Sequence, residues 1–229
     1  MAPLPPNGIE LVAKYVSALA HRMDTTAVFR GHANAQWELK PSAFRSETSL
    51  GIQNQRQLNK WKKAAGRFAA PRPLNDFEWL ALGQHYGIQT PLIDWTKNPL
   101  IALFFACLGE DEEADGVVIQ MPQARFKPLN NAATISIFDS DRSVPCLLSM
   151  DSINQRTISQ DSVMSLHTVE MGAMETSASN LHFIDRSEKS RILIGLDYLG
   201  INYQRMFTDL ASVAQAFQDD LLLDHIFDA

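Results

Sequence analysis

Apolar positions Leu11, Val12, Tyr15, Val16 and Leu19 recur at intervals of three and four, which predicts an amphipathic helix over Glu10–Met23. The proline-rich residues 1–8 before it read as irregular. Ala27–Arg30 reads as a short strand stopped by Gly31, and a second helical region covers Gln53–Ala70. Asp76–Tyr86 predicts a further helix with Phe77, Leu80 and Gln84 on one side, closed by Gly87 as a left-handed cap. A short apolar strand, Leu92–Trp95, follows. Asn98 and Pro99 then form an N-cap and first-turn pair that opens a helix over Pro99–Leu108. That helix is apolar nearly all round (Leu100, Ile101, Leu103, Phe104, Phe105), so it is expected inside the protein.

Beyond a polar acidic loop at 109–115, Val117, Val118 and Ile119 predict a strand over Gly116–Met121. The pattern then weakens, with short strands over Thr134–Phe138 and Val144–Leu148. Arg156–His167 alternates as a central strand, and Met171–Asn180 is a polar loop. Ile192, Leu196 and Leu199 place a helix over Ser187–Leu199, ended by Gly200, and a last helix covers Asp209–Leu223. Neither a repeat nor a linker divides the chain. The expected fold is a single α+β domain, residues 1–229, with a central mixed or split β-sheet flanked by helices.

Charge narrows the partners. A net charge of −6 argues against non-specific nucleic-acid binding, which depends on neutralising phosphates. The one dense basic cluster, Arg56, Lys60, Lys62, Lys63 and Arg67, reads as a solvated helix face. Two cysteines, Cys107 and Cys146, cannot build a disulfide framework, and Cys107 falls inside an apolar run as a small hydrophobe. The N-terminal residues have no signal-peptide pattern and no stretch is long and apolar enough to span a bilayer, so a cytoplasmic protein without a membrane role is expected.

Three polar clusters carry candidate chemistry. In Phe29-Arg30-Gly31-His32 a planar cation stands beside a bare backbone, an arrangement suited to a phosphate or carboxylate; a structural ion pair beside a turn glycine is the other reading. The run Gln84-His85-Tyr86-Gly87-Ile88-Gln89-Thr90-Pro91-Leu92-Ile93-Asp94-Trp95-Thr96 packs amides, an imidazole, a phenol, hydroxyls and a carboxylate around an apolar strand. Those groups either satisfy one another as a structural staple or line a pocket, because an unpaired buried polar group costs ~1–3 kcal/mol. The third cluster is Arg156, Gln160 and Ser162, where a glutamine offers recognition and not proton transfer. The histidines show no metal-ligand spacing, so no metal is expected, and neither a nucleophile elbow, a P-loop nor a dinucleotide-binding glycine fingerprint occurs.

These residues resemble a known family, the FRG domain, named for its Phe-Arg-Gly motif. The resemblance runs through FRGHANAQWELKPSAFR (Phe29–Arg45) and WLALGQHYGIQTPLIDWTKNPLIALFFA (Trp79–Ala106). It extends through DGVVI (Asp115–Ile119), the Arg156–Gln160 pair and LGINYQRMFTDL (Leu199–Leu210), a motif core of about 27–210. The family occurs in bacteria and their phages. It usually carries an Arg where this chain has Pro91; if that Arg pairs with the motif aspartate in relatives, Asp94 needs another partner. The order of the polar strands also resembles the layout of ADP-ribosyltransferases. That resemblance implies an NAD or other nucleotide-type ligand, with Arg30, Gly31, Gln84, Thr90, Thr96 and Arg156 binding it and His85, Tyr86, Asp94 and Gln160 in catalytic places. In it Gln160 occupies the place of the usual glutamate, so Asp94 or Asp161 would supply negative charge. It implies a toxin or phage-defence effector; the alternative is a non-catalytic module that binds a host or phage protein.

Overall fold

The computed structural model describes residues 7–20, 26–46, 48–109, 113–129, 136–139, 141–149 and 161–207. Helix α1 (Gly8–Ala20) leads to strand β1 (Ala27–His32), helices α2 (Gln55–Ala65) and α3 (Asp76–His85), strand β2 (Leu92–Thr96) and helix α4 (Pro99–Cys107). Then come β3 (Gly116–Pro122), β4 (Lys127–Pro128), β5 (Cys146–Ser149), β6 (Ser162–Leu166), β7 (Leu181–Ile184), α5 (Lys189–Tyr198) and α6 (Tyr203–Met206). The strands form one sheet in the order β4-β5-β6-β2-β1-β3-β7. β4 and β5 run parallel and every other neighbouring pair antiparallel, so the sheet is mixed. The single α+β domain expected from the sequence is what the chain forms.

The sheet is strongly paired everywhere except at its centre. β1 is in register with β3 along its whole length and β2 with β6 along its whole length. β1 and β2, by contrast, meet only where Phe29 faces Thr96. Beyond that point the two strands part, and the gap is the floor of the site described below.

Helices cover one face in two groups. α1, α4 and α5 pack on β1, β3 and β7 through Leu11, Phe29, Leu103, Val118, Ile184 and Ile192. α2 and α3 pack on β2, β5 and β6 through Leu58, Phe77, Leu80, Leu92, Leu148 and Leu166. On the opposite face Val28, Leu39, Trp95, Ile119, Met121 and Phe126 close a smaller core under the loops. α4 begins as expected, with the Asn98 side chain accepting from the Leu100 amide and Pro99 in the first turn. It crosses β1 so closely that a Cβ on Gly31 would lie 2.0 Å from the Ala102 carbonyl oxygen. Gly31 is therefore the packing surface for α4, which accounts for that glycine without any ligand.

Several expectations change. Ile137 and Phe138 form a turn and not the interior of a strand over Thr134–Phe138. Among the described residues the strand expected over Arg156–His167 is Ser162–Leu166; Arg156 and Gln160 lie outside those residues, as does the helix expected over Asp209–Leu223. β7 was not foreseen: Leu-His-Phe-Ile is too short to show a period, and it becomes a strand because the edge of β3 pairs with it. Cys107 is a buried hydrophobe, its thiol pushed up to about 12, chiefly by burial. No helix among the described residues is long and apolar enough to cross a membrane.

Candidate functional site

A cavity of about 290 Å³ opens where β1 and β2 part. Arg30, Gly31, Asp94 and Thr96 line it, with Trp37, Phe105 and Ser162 completing the wall. Of the residues singled out from the sequence, these four and Ser162 converge. The half-buried Arg30 guanidinium bridges the gap: one terminal nitrogen donates to the Asp94 carbonyl oxygen (2.7 Å) and Nε donates to His32 Nε2 (3.0 Å). An arginine carries five N–H donors, so its remaining donors have no partner among the described residues.

Burial, reinforced by Arg45 and opposed by Asp94, pushes the Arg30 pKa down from its usual value, yet a guanidinium stays charged at neutral pH. The His32 ring must be neutral for Nε2 to accept. Its pKa is pushed down to about 3 by burial, then by the charges of Arg30 and Arg45. His167, also buried, is likewise lowered to about 3 by burial and Arg30. Trp95 Nε1 donates to Ser165 Oγ (2.8 Å), and Ser165 Oγ lies 2.7 Å from His167 Nε2. A neutral ring protonated on Nδ1 lets Ser165 accept from Trp95 and donate to His167. Both rings carry an Nδ1 with no hydrogen-bond partner among the described residues, and neither lines the cavity. Their effect on it is indirect: two uncharged rings keep Arg30 the local cation. Trp37, 49% exposed, tilts over His32 with ring centroids 6.0 Å apart and forms the outer wall.

The Asp94 carboxylate takes its hydrogen bond from an amide, not from an arginine. Gln84 Nε2 donates to Asp94 Oδ2 (2.5 Å), and the Gln84 carbonyl accepts from the Thr90 hydroxyl. Thr90 is fully buried and its backbone amide donates to Ser42 Oγ (3.2 Å). Gln84 is thus the partner of the Asp94 carboxylate in this chain, and Thr90 belongs to the staple behind the cavity and does not reach its wall. Asp94 Oδ1 has no hydrogen bond among the described residues, so it is the oxygen open to a ligand.

Two of the expected catalytic residues lie elsewhere. His85 and Tyr86 stack edge-to-face (5.0 Å) at the C-terminal end of α3, and both line a separate groove against α2. The reason is helical geometry: successive residues point about 100° apart, so Gln84 turns toward the sheet while its neighbour turns away. Arg156 and Gln160 lie outside the described residues. Asp161 is exposed at the turn before β6, with φ 46°, and does not line the cavity, although its neighbour Ser162 does. His32 and Ser162 stood in the polar clusters without an assigned ligand role, and Trp37 was not among the candidates; the aromatic seven residues after Arg30 gave no local signal, because the loop alone brings Trp37 back over β1. No cluster of potential metal ligands occurs among the described residues.

Comparison with known families matches the FRG domain to residues 25–115, a stretch that holds Arg30, the Gln84–Thr90–Asp94 staple and α4. The later motifs at Arg156–Gln160 and Leu199–Leu210 fall beyond it. No match was found among curated proteins or solved structures.

Proposed function

Since the chain carries an FRG domain at residues 25–115, we propose that the cavity in its split sheet binds the phosphate-bearing end of an NAD-type nucleotide. The observation that carries this reading is Arg30: a guanidinium held by two hydrogen bonds, with its remaining donors unpaired among the described residues, on the wall of a cavity. A planar cation so placed grips a phosphate through parallel N–H donors. Trp37 offers a ring face for a base or nicotinamide, and about 290 Å³ suits one end of a dinucleotide.

Turnover in this reading is ADP-ribosyl transfer or NAD hydrolysis by a toxin or phage-defence effector. The bond between the ribose C1′ and nicotinamide breaks, nicotinamide leaves with the bonding pair, and an acceptor hydroxyl or water adds to C1′ while losing its proton. Asp94 Oδ1 supplies negative charge near the cationic sugar. His85 and Tyr86 have no part in that step. Calorimetry with NAD and an assay for released nicotinamide test it. Saturable binding that Arg30→Gln abolishes supports the reading; absence of both binding and release removes it.

A second reading, a non-catalytic module that binds a host or phage protein, is favoured by one observation. The Thr90–Gln84–Asp94 chain is internally paired, as a structural staple would be. Under it, NAD neither binds nor reacts, and Asp94→Asn lowers the melting temperature without changing partner capture.

A further inference from the structure

The groove between α2 and α3 plays no part in the function above, and its make-up differs from the rest of the chain. It encloses about 940 Å³ and is lined by Trp61, Ala64, Phe68, Leu74, Leu82 and Tyr86 among others. Phe68 is 72% exposed, Leu74 90% and Tyr86 71%. Large apolar side chains gathered around a concavity, and not scattered singly, mark an interaction surface. The charge beside them is basic on the α2 side, while Glu78 of α3 also lines the groove. Residues 48–75 hold Arg56, Lys60, Lys62, Lys63, Arg67 and Arg72 and no carboxylate, in a chain whose net charge is −6. Lys62 is paired with Asp76, whereas Arg67 lies over the Phe68 ring, 4.7 Å from its centroid, on the groove wall. An occupant that is apolar on one side and carries carboxylates toward α2 and Arg72 fits this lining. The aliphatic character of the lining, with Ala64, Ala65, Ala69 and Leu82 beside its aromatics, suits packed side chains better than stacked bases.

The chain itself contains a segment of that chemistry. Residues 208–229, outside the described ones, carry Asp209, Asp219, Asp220, Asp224 and Asp228 and neither lysine nor arginine. Among these lie Leu210, Val213, Ala214, Phe217 and Leu221, at the spacing of one helical face. We propose that the α2–α3 groove is the docking site for the acidic apolar segment 208–229 of this chain. The apolar side chains fill the groove, and the aspartates meet Lys63, Arg67 and Arg72 at its rim.

Photo-cross-linking in the full chain tests this. Cys107 and Cys146 are buried, so Ala64→Cys places a single accessible thiol on the groove wall for a benzophenone label. Irradiation is expected to attach the label within 208–229. The yield should fall about tenfold in the Arg67→Glu/Arg72→Glu variant, as for reversal of two exposed charge contacts. It should fall similarly in Asp219→Asn/Asp220→Asn/Asp224→Asn, which leaves the groove untouched. A monomeric or a dimeric product supports the proposal equally and shows which copy supplies the segment. Attachment only outside 208–229, or a yield indifferent to both charge variants, overturns it. So does attachment to an added oligothymidylate with none to the segment, which would make the groove a nucleic-acid site. Thermal melts followed by circular dichroism confirm that the substituted chains, altered at exposed positions, remain folded.

Discussion

The split in the sheet and the groove between α2 and α3 draw on the same block of sequence, Trp79–Ala106, and are built by opposite means. At the split, polar groups are tied to one another and to backbone: Arg30 to the Asp94 carbonyl and His32, Asp94 to Gln84, Gln84 to Thr90. At the groove, apolar rings stand in solvent, with Arg72 and Glu78 beside them in the lining. One site is held in a single geometry before any ligand arrives; the other is an adaptable surface. A dense polar motif is thus not one constellation. Its residues are shared between two surfaces by the twist of a single helix, with Gln84 on one side and His85 on the other.

The sharpest way to break this contrast is by substituting glycines on its two sides. Gly31→Ala forces a methyl against the α4 backbone at the Ala102 carbonyl, and the expected loss is about 3 kcal/mol or more in a urea titration. Gly87→Ala, at φ 81° with open space around it, should cost only about 1 kcal/mol. Equal losses would mean that α4 does not rest on Gly31.

Acid is the next largest lever, and between pH 6.5 and 5 it acts through His32 and His167. His32 and His167 titrate near 3 in the folded chain and near 6.5 in the unfolded one. Between those values the unfolded chain binds protons that the native chain does not, so stability falls as pH falls below 6.5. The expected slope is about 1.4 kcal/mol per pH unit for each ring. In the folded chain His32 gains its proton only near pH 3, where it ceases to accept from Arg30 Nε, so ligand binding should hold while the chain stays folded and weaken only toward pH 3. A melting temperature flat from pH 6.5 to 5 would contradict the assignment of neutral rings.

Smaller effects separate the two surfaces further. Trp37→Ala, at a half-exposed position, should weaken NAD binding about tenfold by calorimetry while leaving the melting temperature nearly unchanged. Tyr86→Ser, in the groove, should change stability by less than about 0.5 kcal/mol and NAD binding not at all. Loss of NAD binding in the Tyr86 variant would reunite the two regions into one site.

Much of this was legible along the chain. The Asn98-Pro99 cap, the apolar α4 and the β-branched run of β3 are written in contiguous residues, as is the positive φ at Gly87 and Gly200. Arg30 and Asp94 were also recognisable as partners in one site, because so polar a pair beside apolar strands needs an explanation. Other features were not legible. Nothing around Pro91 announces that Gln84 satisfies Asp94, and nothing in Leu181–Ile184 announces a strand. Nothing around Gly31, which lines the cavity, announces that its missing side chain also makes room for α4.

The sequence by itself determined the helices, the principal strands and the buried α4, because each rests on periodicity and spacing among near neighbours. The FRG domain at residues 25–115 was legible as a resemblance of its motifs. The tertiary structure decided that β1 and β2 part after Phe29 and Thr96, that Arg30 bridges the gap, and that His85 and Tyr86 face a different groove. Those outcomes depend on register and packing between segments distant in the chain. There a one-residue step reverses the face of a strand, and a turn of about 100° moves a helical side chain from one surface to another.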